Sequence, residues 1–226
     1  MRLCIFSCLL SKYPQDTELD DIVRVMRTSN RVRALCEKYR TISGKGKKRE
    51  KRSIKTKEIP AFIPCALVFE GKGHRHVIGL TNLCYMDIDH LNEKQIDKVM
   101  ETLRHDEHVV LAMRSMSGNG IHFMVKYGFK DMEQPQITNM SANHLVMAYV
   151  PVFNTLRNLY QNILHLLIDE SGRNVVQPCN ISYDADLYYN PNALSYTLIY
   201  EDPKQITQQM YQIECTPEPT PLCTFV

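Results

Sequence analysis

The chain has no apolar run approaching the roughly 18 residues that a membrane-spanning helix needs, no C-x-x-C pair and no internal repeat. The first absence excludes a spanning helix. The N-terminal MRLCIFSCLLSKYP holds a short apolar run but no clear small-residue cleavage site, so CIFSCLL reads as a buried first strand rather than a signal peptide. The second absence bears on the eight cysteines, at positions 4, 8, 36, 65, 84, 179, 215 and 223. Without paired spacing they read as reduced, buried thiols of a cytoplasmic protein rather than a disulfide framework. What is present is ordinary for a globular protein: 226 residues, 44% hydrophobic and 23% charged, room for one large domain or two small, closely packed ones.

A formal net charge of only +2 hides an asymmetry, because residues 1 to 60 hold 16 Lys and Arg against 7 Asp and Glu. The basic half invites a polyanion. Its centre is SGKGKKREKRSIKTKE, residues 43–58, whose Gly, Ser and mixed charge predict a mobile surface loop. Lys45, Lys47, Lys48, Arg49, Lys51 and Arg52 are its candidate nucleic-acid contacts, although phosphate attraction is sequence-independent and a solvated charge run reads the same way.

Periodicity orders the rest. A strand is expected over 2–10, then two helices within 18–40 broken near Thr28, Ser29 and Asn30, then the basic loop and an extended stretch punctuated by Pro60 and Pro64. GKGHRHVIG reads as a turn or hairpin, and 80–88 as a strand leading into a helix over 92–104. HVVLAMRS and IHFMVKY follow as strands joined by MSGNG, and a long helical region covers about 141–168, with Pro151 a start or kink. NVVQPCNIS and SYTLIY read as further strands, and the tail beyond Pro203 as a surface extension. From about residue 79 to 185 the order is that of a ferredoxin-like or RNA-recognition-type module. The organisation expected is an α/β segment over 1–78 packed on a core over 79–202, with an extension over 203–226.

Two motifs carry chemistry. In LCYMDIDHL, residues 83–91, a strand places Asp87 and Asp89 on one face, where two carboxylates call for a hard cation such as magnesium or manganese. The structural alternative is that Asp89 caps the following helix and Asp87 accepts a backbone bond. In RSMSGNGIHFMV, residues 114–125, Asn119 and Gly120 form a hairpin signal, and the small residues let a phosphate approach backbone amides beside His122. A lone strand histidine is also commonly structural.

A D-x-D strand followed by a small-residue turn ending in histidine resembles the archaeo-eukaryotic primase superfamily. With SYDADLYYNPNA at 182–193, the chain most resembles its BT4734-like or VirE N-terminal branch, found in mobile and phage elements of Bacteroides type. The resemblance implies an α+β primase-like core containing the ferredoxin-like sheet with helices on one face. It also implies a primase-polymerase nucleotidyltransferase that binds a nucleoside triphosphate and magnesium or manganese on single-stranded or template-primer DNA, with a helicase as a possible partner and no membrane. Asp87, Asp89 and, by this resemblance, Asp169 would hold metal. His122 would join them in catalysis, and Arg114, Ser115, Ser117, Gly118, Gly120 and His122 would cradle the nucleotide. The chain departs from the family at Gln177, where an arginine is usual; a neutral amide cannot make a bidentate phosphate contact. Asp184 and Asp186 read as structural residues of a turn. Two rivals remain open: a catalytically degenerate nucleic-acid-binding domain, and an HUH-type nicking endonuclease suggested by HRH at 74–76 with Tyr149 and Tyr160.

Overall fold

The computed structural model describes residues 1–132, 139–201 and 210–213. Strand β8 (Ile121–Phe129) is the axis of the central sheet. Strands β6 (Leu83–Ile88) and β7 (Val109–Arg114) both pair with it antiparallel, so they run parallel to each other with β8 between them. Helix α4 (Glu93–Arg104) makes the crossover, begun by a capping box in which Asn92 and Gln95 each bond the other's backbone amide. A split β-α-β unit of this kind is what the strand-helix-strand-strand order predicts. The two short strands β10 (Tyr188–Tyr189), antiparallel to β7, and β11 (Tyr196–Leu198), parallel to β8, extend it.

Cross-strand partners share a face, so Asp87, His122 and Met113 point one way while Ile88, Ile121, Phe123 and Arg114 point the other. The second face carries the helices: α5 (Ala142–Leu164) lies there, with Tyr160 5.2 Å from the Phe123 ring. Pro151 sits in the interior of this helix, buried, and does not begin it.

The first face meets the N-terminal half. Strands β2 (Gln15–Glu18), β1 (Arg2–Phe6), β3 (Ala61–Ile63) and β9 (Cys179–Asn180) form a second sheet in that order. Because β9 comes from beyond α5 yet completes the N-terminal sheet, the segment 1–78 is interleaved with the core rather than stacked on it. Strands β4 (Ala66–Val68) and β5 (Val77–Leu80) make a separate pair. Helices α1 (Leu19–Thr28) and α2 (Asn30–Thr41) break at Ser29, whose hydroxyl accepts the amide of Val32. Mixed α+β architecture is thus as expected. No helix among the described residues is long and apolar enough to cross a membrane.

Three expectations need correction. Residues 43–58 are not a loop: helix α3 (Lys47–Ser53) begins after Gly46, at φ 84°, and continues into a wide turn, Ile54–Glu58. KKREKR is made of good helix formers, and fully buried Ile54 and Ile59 fasten its end to the core. Nor is the tail wholly a surface extension. Tyr211 is buried and exchanges hydrogen bonds with Thr155 on α5, while residues 203–209 and 214–226 of the extension lie outside the described ones.

The third concerns the ferredoxin-like fourth strand. Beside β6 stands a helical turn, Glu170–Arg173, tied to the strand by the amide of Asp169 donating to the Asp87 carbonyl at 2.9 Å. Gly172 permits the approach, since a Cβ there would lie 2.4 Å from the Tyr85 carbonyl oxygen and 2.7 Å from the Phe153 ring. Gly172→Ala should therefore destabilise the protein by about 1 to 3 kcal/mol, read as a lower denaturation midpoint. An unchanged midpoint would mean that this turn is free to shift.

Candidate metal and nucleotide site

The Asp87 and His122 side chains face each other directly across β6 and β8, His122 Nε2 lying 3.3 Å from Asp87 Oδ1. The contact is one of charge, for the buried Oδ1 has no hydrogen-bond partner. On the other side of the ring, His122 Nδ1 is 3.4 Å from the sulfur of Cys179 on β9, and Tyr85 packs edge-on at 5.6 Å. Burial opposes the imidazolium, but Cys179 and Asp87 outweigh it and push the pKa up to about 10. Cys179 is 1% exposed, so carboxylate, imidazole and thiol in a row do not offer a nucleophile to solvent. They fix the ring.

A histidine raised in this way stabilises the fold fully below its unfolded value near 6.5 and loses that contribution as pH climbs through about 10. In metal-free buffer, Asp87→Asn should remove about 1 to 3 kcal/mol at pH 6 and progressively less toward pH 10, read from melting curves across that range. A pH-independent difference would show that His122 is not charged against Asp87.

Asp89 follows the end of β6. Desolvation and then the Asp87 charge raise its pKa, while His122, His90 and Lys55 act in the opposite sense. The two carboxylates therefore feel each other, as the strand spacing predicts, and no cap on α4 involves Asp89, since Asn92 holds that role. Asp169 is different. Its backbone lies against Asp87, but its carboxylate accepts the Ser171 amide at 2.6 Å and is lowered by Ser171 and Arg157.

The turn from Ser115 to Gly120 flanks Asp89. It closes through the Gly118 amide onto the Ser115 carbonyl and the Ser115 amide onto the Gly120 carbonyl. The left-handed residue is Gly118, at φ 83°, not Asn119 or Gly120. Gly120 is needed for another reason: a Cβ there would lie 2.6 Å from the Ile88 carbonyl oxygen, 3.1 Å from Ser115 Oγ and 3.2 Å from Asp89 Oδ1. The missing side chain brings turn and carboxylate together. Ser115 Oγ and Ser117 Oγ are 3.0 Å apart beside them.

Arg114 is largely engaged by Glu93, which its guanidinium grips through two contacts of 3.0 and 2.9 Å, while Nη1 also reaches the Gly118 carbonyl of the turn at 3.5 Å. The other cations beside the turn are ones that periodicity does not single out. Arg40 on α2 donates to the carbonyls of Met116 and Ser115 at 3.1 and 3.4 Å, and the Lys55 charge acts on Asp89. Lys51 and Lys55 stand 4.9 and 5.5 Å from the Tyr39 ring centre, which joins the basic helix to the site. Lys45, Lys47, Lys48, Arg49 and Arg52 lie on the exposed α3 or just before it. Gln177 is half-buried and neutral.

The SYDADLYYNPNA string proves to be a clamp. Ser182 Oγ donates to the Arg114 carbonyl, Asp184 accepts the amides of Arg114 and Asp186, and the Asp184 amide reaches the Met26 carbonyl on α1. It ties the helix pair to β7, the structural role expected of Asp184. The HUH arrangement is not formed. Tyr149 and Tyr160 are fully buried, and His74 and His76, on one helical turn, bond separately to Asn174 and the Phe69 carbonyl.

A hard cation fits Asp87 and Asp89 in part. A buried carboxylate oxygen that accepts no hydrogen bond, beside a second carboxylate, suits magnesium or manganese, which take one or two protein carboxylates with water and phosphate oxygens, although the His122 charge 3.3 Å away competes for that oxygen. Among the described residues no group of three His, Cys, Asp or Glu is arranged to hold a metal by itself. The model of the BT4734-like, N-terminal domain family matches residues 54–189. No curated protein and no solved structure matches the chain.

Proposed function

Starting from the BT4734-like, N-terminal domain family, to which this chain belongs, we propose that it is a primase-polymerase-type nucleotidyltransferase domain binding a nucleoside triphosphate and a divalent cation on a DNA template. The observation that carries this reading is the pair Asp87 and Asp89, the first with a buried oxygen that accepts no hydrogen bond and faces only the His122 charge, the second bordering a glycine-opened turn. Bound there, magnesium or manganese would neutralise phosphate oxygens and lower the pKa of an attacking hydroxyl. Asp87 and Asp89 would hold the cation. His122, fixed from behind by Cys179, keeps the Asp87 carboxylate in place. The turn closes through the Ser115 and Gly118 amides, which leaves its other backbone donors for phosphate oxygens, while the Ser115 and Ser117 hydroxyls are engaged with each other and with Asn119. The exposed cations of α3 would track the template backbone. The test is extension of a labelled primer by the purified chain with manganese and deoxynucleotides, for which incorporation is expected and its absence would remove the enzymatic reading.

One observation favours a second reading, a nucleic-acid-binding domain that has lost catalysis: the Asp169 carboxylate is spent on capping its own turn. That reading predicts salt-dependent DNA binding with no incorporation at any manganese concentration.

A further inference from the structure

The nucleotide site has a positively charged wall that comes from outside the span the family model matches. Arg40 lies on α2, ahead of residue 54, and the clamp at 182–193 holds that helix pair to the edge of β7. Its guanidinium donates through Nε to the Met116 carbonyl and through Nη2 to the Ser115 carbonyl, contacts that occupy one edge of the fork. Among the described residues it has no carboxylate within ion-pair distance, so the edge formed by Nη1 and the second Nη2 hydrogen has no partner. A second edge of this geometry matches two oxygens of a phosphate. Gly118 makes the seat possible, because a Cβ there would stand 3.1 Å from Arg40 Nε.

Ser115 links this guanidinium to the carboxylates, its carbonyl bonded to Arg40 and its hydroxyl beside the Gly120 position that Asp89 also borders. Lys55 adds a second cation near Asp89. Carboxylates for a cation on one side of a turn, and an open guanidinium edge on the other, suit a ligand that carries metal and several phosphates together.

We propose that Arg40 is a binding residue for the phosphate chain of the nucleotide, with its free edge on the phosphates distal to the sugar. The inference rests on the nucleotide-binding function proposed above. Its chemistry makes the base irrelevant: inorganic tripolyphosphate and deoxyadenosine triphosphate should both depend on Arg40, and adenosine should not.

The experiment is calorimetric titration of the full chain, in manganese, with tripolyphosphate, deoxyadenosine triphosphate and adenosine, for wild type, Arg40→Ala, Arg40→Lys and Arg40→Gln. Both phosphate ligands should bind Arg40→Ala at least tenfold more weakly, with Arg40→Lys intermediate because it keeps charge without the planar fork. Arg40→Gln keeps a donor for the turn carbonyls, and it decides the matter if Arg40→Ala does not fold; its loss should match that of Arg40→Ala. Wild-type affinity in a folded Arg40→Ala or Arg40→Gln overturns this inference and leaves the function standing. A wild type that binds neither phosphate ligand overturns both.

Discussion

Asp89→Asn should reduce metal-dependent nucleotide incorporation by two orders of magnitude or more while leaving the metal-free protein as stable as the wild type or slightly more so. The two halves of that expectation have different causes. A carboxylate that shares a cation with transferring phosphates contributes several kcal/mol to the transition state, and about 1.4 kcal/mol is a factor of ten in rate. Without a cation the same carboxylate is unfavourable, since its pKa is raised by desolvation and by Asp87. An asparagine of the same shape removes that repulsion, and for a group this open to solvent the gain stays within about 1 kcal/mol. Stability and activity therefore move in opposite directions, which a merely structural aspartate cannot imitate. Manganese should raise the wild-type melting temperature and leave that of Asp89→Asn unmoved. Equal incorporation by both proteins would remove Asp89 from the site. The neighbouring Asp87→Asn is a less clean probe, because it also deprives His122 of its partner.

The second large effect belongs to α3. Reversing Lys47, Lys48, Lys51 and Arg52 to glutamate should weaken single-stranded DNA binding by more than a hundredfold at low salt and flatten its salt dependence. Each phosphate that the protein no longer neutralises lowers the log-log slope by about 0.7 for single strands. None of the residues of the helix is buried, Lys51 and Ser53 being half-buried and the rest exposed, and its fastening to the core, Ile54 and Ile59, is untouched by these changes. The melting temperature should stay close to wild type except for the removal of Lys51 from the Tyr39 ring. Fluorescence anisotropy across a salt series measures both quantities. A slope unchanged from wild type would mean that DNA follows another surface.

The features legible in the sequence are those that local spacing encodes. The helix break at Ser29, the start of α4 near Asn92, and the alternation that sets Asp87 against the core all depend on neighbours within a few positions. The basic stretch reads as a loop because two glycines and a high charge outweigh a run of helix formers, and the signal to the contrary is the pair of buried isoleucines at 54 and 59. Contacts between distant segments leave no periodic trace. Cys179 meets His122, Arg40 meets Ser115 and Gly172 meets Tyr85 only because β9, α2 and the Glu170–Arg173 turn are folded onto the central sheet. The site is thus a legible half, strand β6 with the turn after β7, completed by residues whose roles depend on tertiary placement. Family resemblance points to Asp169 beside Asp87, and the backbone does run there, but its carboxylate serves the turn that stands in for a fourth strand.

The most direct measurement is manganese anomalous scattering from crystals of the chain soaked with manganese and a nonhydrolysable deoxynucleoside triphosphate. The expected result is a peak within about 2.1 to 2.4 Å of carboxylate oxygens from both Asp87 and Asp89, with the phosphates lying along the Ser115–Gly120 turn. Manganese bound elsewhere, or nucleotide density that avoids both carboxylates, would contradict it.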